Sequence, residues 1–417
     1  MRARNFISSA VVSFFILTIP AVPCLSQEKT GDVVIGSTYS FSPKNIEGRI
    51  EVSLHFPGDY EKSGARYPVL YLLDVEKDFV FGSAVTDFLA ANGRIPGLVV
   101  VGVDLGQATG TPRQLVEFFE NELFPFVGNT ARIEPCRVLY GHSARSFAAL
   151  VILLRWPDLF YGYIGAGLGL TSPPWTTGID LVQLADEKFS EIRSLKKSFY
   201  FVLGNEQPFL PAVGKFVEIL KAKGPEGLDW KYENMPDDDH FSNKLKTLYF
   251  GLEHVFRGWR LPLAVAKAGP EAIKAHYDRL SERLGYAVGL PTGPIHRAIM
   301  DWLAYEDEVV TALAVVNQLK EKFASDSGVV EGDLRMGAFF AMNSGKLNDA
   351  IKIYSFLCRD YPESAQNLNG LGEVYEKAGK LDLARASYEK AAALGAAKND
   401  PELKKYQDNL ARLNRQK

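Results

Sequence analysis

A serine at 143, a glutamate at 206 and a histidine at 240 stand in settings that suit nucleophilic attack coupled to proton transfer. Ser143 lies in RVLYGHSARSFAAL, Arg137 to Leu150. Val138 to Tyr140 is a short apolar run of the kind that makes a buried strand, and Phe147 to Leu154 is long enough to continue as a buried helix. A serine at such a strand-to-helix bend takes a strained backbone, so its hydroxyl stands above the sheet and the next N–H, that of Ala144, faces a developing oxyanion. Gly141 supplies the small residue that the turn requires. The second glycine usual in this motif is replaced by Arg145. GHS by itself is also compatible with a structural serine that caps a core helix.

Partners for the serine are expected further along the chain, in the order acid and then base. Phe199 to Leu203, FYFVL, reads as a strand and ends in Gly204-Asn205-Glu206, which places a carboxylate just past a strand end. His240 follows in MPDDDHFS, a polar loop before a helix expected from near Asn243. An imidazole there can take the serine proton and return it to a leaving group, while the carboxylate holds the ring in the useful tautomer. Of six histidines, only His240 has this setting; His142 should point away from the serine, His254 is on a helix and His55 in an early strand. PDDDH could instead read as a metal site, but three adjacent aspartates cannot all face one ion. No metal and no cofactor is expected.

The elements that must position these groups are alternating strands and helices. Arg49 to Phe56 alternates as a half-buried strand does. Tyr67 to Leu73 (YPVLYLL) and Leu98 to Val103 (LVVVGV) are near-continuous apolar runs, with a helix-like segment between them from Phe79 to Asn92. Leu115 to Val127 reads as a helix before the RVLY strand. This order predicts an α/β fold with a mainly parallel sheet covered on both faces, whose ligands sit at the carboxyl ends of the strands.

Composition bounds the function. The chain has 417 residues, 47% hydrophobic and 12% aromatic, with a net charge of -3. That length favours more than one domain, and the absence of a basic excess argues against nucleic acid as a partner. Arg2 and Arg4 precede Ala10 to Val22, an uncharged apolar run too short to cross a bilayer as a stable helix. It reads as a secretory signal cleaved near Ser26; a lipid anchor on Cys24 is the minority reading. The expected location is periplasmic or secreted, with no transmembrane helix after cleavage. Cys136 and Cys358 then remain, which is not a disulfide framework.

The last third carries an internal repeat. Gly345, Lys346, Leu347, Ala350 and Tyr354 recur 34 positions later as Gly379, Lys380, Leu381, Ala384 and Tyr388. This is the period of the tetratricopeptide helix pair. Thr311 to Phe323 looks like the second helix of an earlier, degenerate unit, and Glu271 to Leu284 like an amphipathic helix leading to the repeats.

YPVLYLLD, VVVGVD, FFENELFPFV, RVLYGHS, WPDLFYGYIGAG, LGNEQ and DDDHFS, in this order, resemble the esterase family that includes esterase D-like and siderophore-esterase-like α/β-hydrolases. The likeness covers about residues 30 to 260. It implies an α/β-hydrolase sheet with Ser143 as nucleophile, His240 as base and Glu206 as acid, and oxyanion donors at the backbone of Ala144 and Val75. Two departures matter: GHSARS stands where the family has GHSxGG, and the segment after VVVGVD is shortened to LGQATGTPRQ.

The sequence therefore predicts a signal peptide over 1–26, a hydrolase domain over 30–260, a linker helix over 261–290 and helical repeats over 291–417. The expected function is an exported serine esterase acting on a small-molecule ester through an acyl-enzyme. The alternative is an inactive hydrolase-fold binding module presented with repeats that take a protein or peptide partner. Loops around Phe79 and over Thr171 to Gly178, where Trp175 is a candidate pocket wall, should set the ester's size, and Arg145 is a candidate group for an acidic substrate.

Overall fold

The computed structural model describes residues 31–415 apart from 74–75, 107–109, 171–177, 306–307 and 321–326. The expected signal segment therefore lies outside the described residues.

In chain order the elements begin with strands β1 (Ser37–Phe41), β2 (Ile50–His55) and β3 (Tyr67–Leu73), helix α1 (Glu76–Ala91) and β4 (Val99–Asp104). Helices α2 (Pro112–Phe118) and α3 (Phe124–Thr130) are joined by a π-helical turn, so the single helix expected over 115–127 is one continuous but locally widened segment. Next come β5 (Ile133–His142), α4 (Ala144–Arg155), β6 (Gly162–Ala166), α5 (Leu181–Glu191), β7 (Ser198–Leu203), α6 (Leu210–Lys223), β8 (Asp229–Asn234) and α7 (Asn243–Val255). All that follows is helical: α8 (Leu263–Lys267), α9 (Pro270–Leu284), α10 (Thr292–Tyr305), α11 (Val309–Leu319), α12 (Ser327–Asn343), α13 (Leu347–Asp360), α14 (Ala365–Lys377), α15 (Leu381–Lys398) and α16 (Leu403–Asn414).

The strands form one eight-stranded sheet in the order β1-β2-β4-β3-β5-β6-β7-β8. β1–β2 and β2–β4 are antiparallel and the other pairs parallel. The sequence cause is direct. β3 is buried along its whole length and β4 nearly so, as strands with helices on both faces must be. Successive side chains point to opposite faces. Leu70, Leu72, Val138, Tyr140, Ile164 and Tyr200 join one core cluster, and Val69, Tyr71, Leu139, Tyr163, Phe199 and Phe201 join the other. The second face is covered by α2 to α6, through Leu115, Phe147, Leu184 and Phe216.

The first face of the sheet leads into the helical region. Its core runs without a break from Leu70 and Val138 through Leu248 on α7, Ile273 and Tyr277 on α9 and Trp302 on α10 to Ile353 and Val374, and residues 35–417 form one compact unit. The segment expected as a linker helix is tied to the turn that follows α7. His276 Nε2–H donates to the Gly258 carbonyl at 2.7 Å, and Tyr277 OH to the Trp259 carbonyl at 3.0 Å. The apolar stripe of α9 packs into this core beside α8 and α11 instead of crossing solvent.

Farther out, the 34-residue period corresponds to helix pairs α12–α13 and α14–α15. Each pair turns at a glycine with positive φ, Gly345 at 79° and Gly379 at 72°. A Cβ at Gly370 would lie 2.3 Å from the Tyr354 ring, and one at Gly372 2.6 Å from the Tyr388 ring. The repeated tyrosines thus fill space that small residues on the facing helix leave open.

Candidate active site

Ser143 links β5 directly to α4 and has φ 52° and ψ -120°. Among the described non-glycine residues only Asn399 shares a positive φ, and such a conformation persists only where its surroundings enforce it. Three contacts do so. The Ser143 N–H donates to the Ala166 carbonyl at the end of β6 at 2.9 Å. Gly141 has no room for a side chain, since a Cβ there would lie 2.5 Å from the Arg145 backbone. Ser146 Oγ donates to the Ser143 carbonyl at 2.5 Å and accepts the Gly169 N–H at 3.1 Å. The elbow forms although Arg145 replaces the usual glycine; Arg145 is half-buried, and the close packing falls on its backbone. Ala144 opens α4, so its N–H belongs to the unsatisfied, electropositive end of that helix.

Glu206 and His240 follow the carboxyl ends of β7 and β8. His240 Nδ1 lies 2.6 Å from Glu206 Oε2. Since the carboxylate of Glu206 is buried and can only accept, Nδ1 carries the proton and Nε2 is the nitrogen left to receive one. The Gly204 N–H also donates to Glu206 Oε1, at 3.3 Å. Both groups meet Gly167, which ends β6 with φ 50°: a Cβ there would lie 3.1 Å from His240 Nδ1 and 3.3 Å from Glu206 Oε1. The strand that fixes Ser143 through Ala166 thus makes room for the His240–Glu206 pair one residue later. Ser143, His240 and Glu206 gather at the carboxyl edge of β5 to β8.

His142 is more than the ordinary structural residue the sequence suggested. Its ring lies 4.5 Å from that of His240, and its Nε2–H donates to the His240 carbonyl at 2.7 Å. Burial, opposed by that hydrogen bond, pushes its pKa down to about 4, so it is neutral at pH 7. The nucleophile strand thereby holds the loop that carries the base. A second tie is the ion pair of Lys244 Nζ with buried Asp78 Oδ1 at 2.5 Å, which joins the start of α7 to the first turn of α1. Burial raises the Asp78 pKa and Lys244 opposes it.

Two of the three aspartates of PDDDH are committed elsewhere. Asp238 meets Lys246 at 2.6 Å, and Asp239 accepts the Phe241 and Ser242 N–H groups before α7. Those hydrogen bonds hold the Asp239 pKa low. Among the described residues no group of three or more His, Cys, Asp or Glu is arranged to hold a metal ion.

Of the other proposed site residues, Phe79 is not gathered with the three. Phe79 covers Gly102, level with Tyr140 and two strands from β5, where its ring replaces the missing side chain in the packing under α1. Val75 and Trp175 lie outside the described residues. An aromatic group that the sequence reading passed over does border the site: Phe241, 72% exposed, sits edge-on to His240 with ring centroids 5.1 Å apart.

A family model described as Putative esterase matches residues 44–268, more than half of the chain. The chain belongs to this esterase family. No curated protein matches it in sequence. The IroE-like serine hydrolase of Shewanella oneidensis has a similar structure, with a TM-score of 0.56 at 20% identity over 69% of this chain and 99% of its own. An uncharacterised protein of Capnocytophaga ochracea gives a TM-score of 0.53 at 14% identity over 91% of this chain and 99% of its own. At these identities the likeness concerns the fold, and in the second case it spans most of the helical region of this esterase as well.

Proposed function

We propose that this esterase-family chain hydrolyses carboxylic esters through an acyl-enzyme on Ser143. His240 Nε2 takes the hydroxyl proton as Ser143 attacks the ester carbonyl, and passes it to the departing alkoxide. Glu206 holds the ring and stabilises the imidazolium. The Ala144 N–H receives the oxyanion at the start of α4. Water then repeats the sequence on the acyl-enzyme, with His240 as base. The observation that carries this reading is the positive φ of Ser143 beside a His240–Glu206 pair at 2.6 Å, on the same strand edge.

A second reading, an inactive binding module, draws on Arg145 in place of the usual elbow glycine. A fluorophosphonate probe separates the two. The folded protein should be labelled on Ser143, and labelling should vanish in His240→Ala; a folded protein that leaves Ser143 unmodified would falsify the acyl-enzyme.

We extend the proposal to location. The apolar run Ala10 to Val22 after Arg2 and Arg4 supports export to the periplasm or beyond. Amino-terminal sequencing of protein recovered from its native host should begin near Gln27, and recovery of an intact amino terminus from the cytoplasm would refute export.

A further inference from the structure

At the opposite edge of the sheet, by the amino ends of β5 to β8, lies a cavity of about 610 Å³ that the last turn of α9 helps to close. Six residues separate Cys136 from His142 along β5, so this cavity is roughly 20 Å from the Ser143 edge. Five basic side chains line it, Lys196, Lys197, Arg257, Arg279 and Arg283, against three carboxylates, Asp158, Asp229 and Glu282. Two of the carboxylates are taken, Asp158 by Lys197 at 3.4 Å and Asp229 by Arg257.

The other cations have no acid. Arg283 donates to Tyr161 OH and to the Val255 carbonyl, each at 3.0 Å, and to the Arg257 carbonyl. Its position is therefore fixed while its charge stays uncompensated. Lys196 and Arg279 have no ion-pair partner among the described residues. Burial, and then the neighbouring Arg283, lower the Arg257 pKa, as expected for two guanidiniums crowded together where only one of them has an ion-pair partner. Against these stands one unpaired carboxylate, Glu282.

We propose that this cavity binds a small dianion, a phosphate or a dicarboxylate, held between Lys196 at the start of β7 and Arg279 on α9. Its volume is that of a small-ligand site, and the excess of two positive charges sets the charge of the ligand. α9 lies beyond the segment matched by the family model, so this site is distinct from the hydrolytic one and exists only because the helical region packs on the sheet. An anion bound there bridges the two and stabilises the folded chain by mass action.

The test is calorimetric titration of the full chain with two separate probes, inorganic phosphate and succinate. At least one should bind saturably and raise Tm. Its Kd should weaken about tenfold or more in Lys196→Ala/Arg279→Ala, because the two charges that hold the anion are lost together. Both residues are exposed, so the double variant should melt like wild type without ligand. Ser143→Ala should bind the probe as wild type does, which separates this site from the catalytic edge. The proposal is overturned if neither probe saturates, if the double variant binds unchanged, or if binding is lost in Ser143→Ala.

Discussion

Ser143 holds its hydroxyl by a backbone conformation that serine does not choose, and in the proposed mechanism Ser143 and His240 act as one unit. Ser143→Ala and His240→Ala should each lower kcat on a nitrophenyl ester by ~10³ or more, and the double variant should lose little beyond that. Glu206→Gln should cost less than either; equal losses for Asp237→Asn or Asp239→Asn would move the acid into the 237–239 loop. His142→Phe removes the donor to the His240 carbonyl while keeping an aromatic ring. A fall of ~10 to 100 in kcat, with KM and fold little changed, is expected from a base displaced by a fraction of an ångström. An unchanged kcat would show that His142 only fills space. Arg145→Gly should leave the protein folded and its rate equal or higher, because the tight contacts at 145 are backbone contacts with Gly141. Lost turnover in a folded Arg145→Gly would instead make Arg145 a substrate-binding group and point to an acidic ester.

At the scale of elements, the site depends on loops from different strands being held together. The Lys244–Asp78 pair joins the helix after the base loop to the helix after β3, with the Asp78 side chain only 2% exposed. Lys244→Met strands a buried carboxylate and should destabilise the fold by about 3 kcal/mol, whereas adding Asp78→Leu should recover much of that loss. Urea unfolding of the three variants measures it, and a double variant no more stable than Lys244→Met would show that no such coupling exists. The same elements show what the sequence displayed. β3, β4 and β5 are dense apolar runs and were legible, as was the serine at their edge. β1 and β8 were not: STYSF is almost wholly exposed, and DWKYEN lies at the far edge with no buried residue. Edge strands with one paired side need neither alternation nor an apolar run. The Gly167 cradle was also hidden, because a glycine's reason for being small is its spatial neighbour, here His240.

For the molecule as a whole, the core of the first sheet face continues without a break past residue 260. A chain ending after Arg260 would expose the face covered by Ile273, Tyr277, Trp302 and Val316, and should be aggregated or molten. Near-ultraviolet circular dichroism and gel filtration check this; a monomeric, well-packed truncated chain would overturn it. Stability should also depend on pH through His142 and His254, both pushed down to about 4, mainly by burial. Depressed folded values favour the neutral ring, so this stabilisation is complete above the unfolded value of 6.5 and is lost as pH falls towards 4. Tm should decline over that window, and less steeply in His254→Gln.

By itself the sequence determined what chemistry is present and along which edge it lies, since strand runs, an elbow and the order serine, acid, histidine are local or ordinal properties of the chain. It also determined the period of the helical pairs, because identical spacing repeats the same packing. Tertiary structure alone decided that α9 to α11 extend the core of the first sheet face, that His142 holds the His240 loop and that Gly167 makes room for the His240 ring. It also decided that five cations from three separated segments wall one cavity. These are contacts between residues far apart in the chain, and their energy depends on proximity, which no residue's type or neighbours in sequence record.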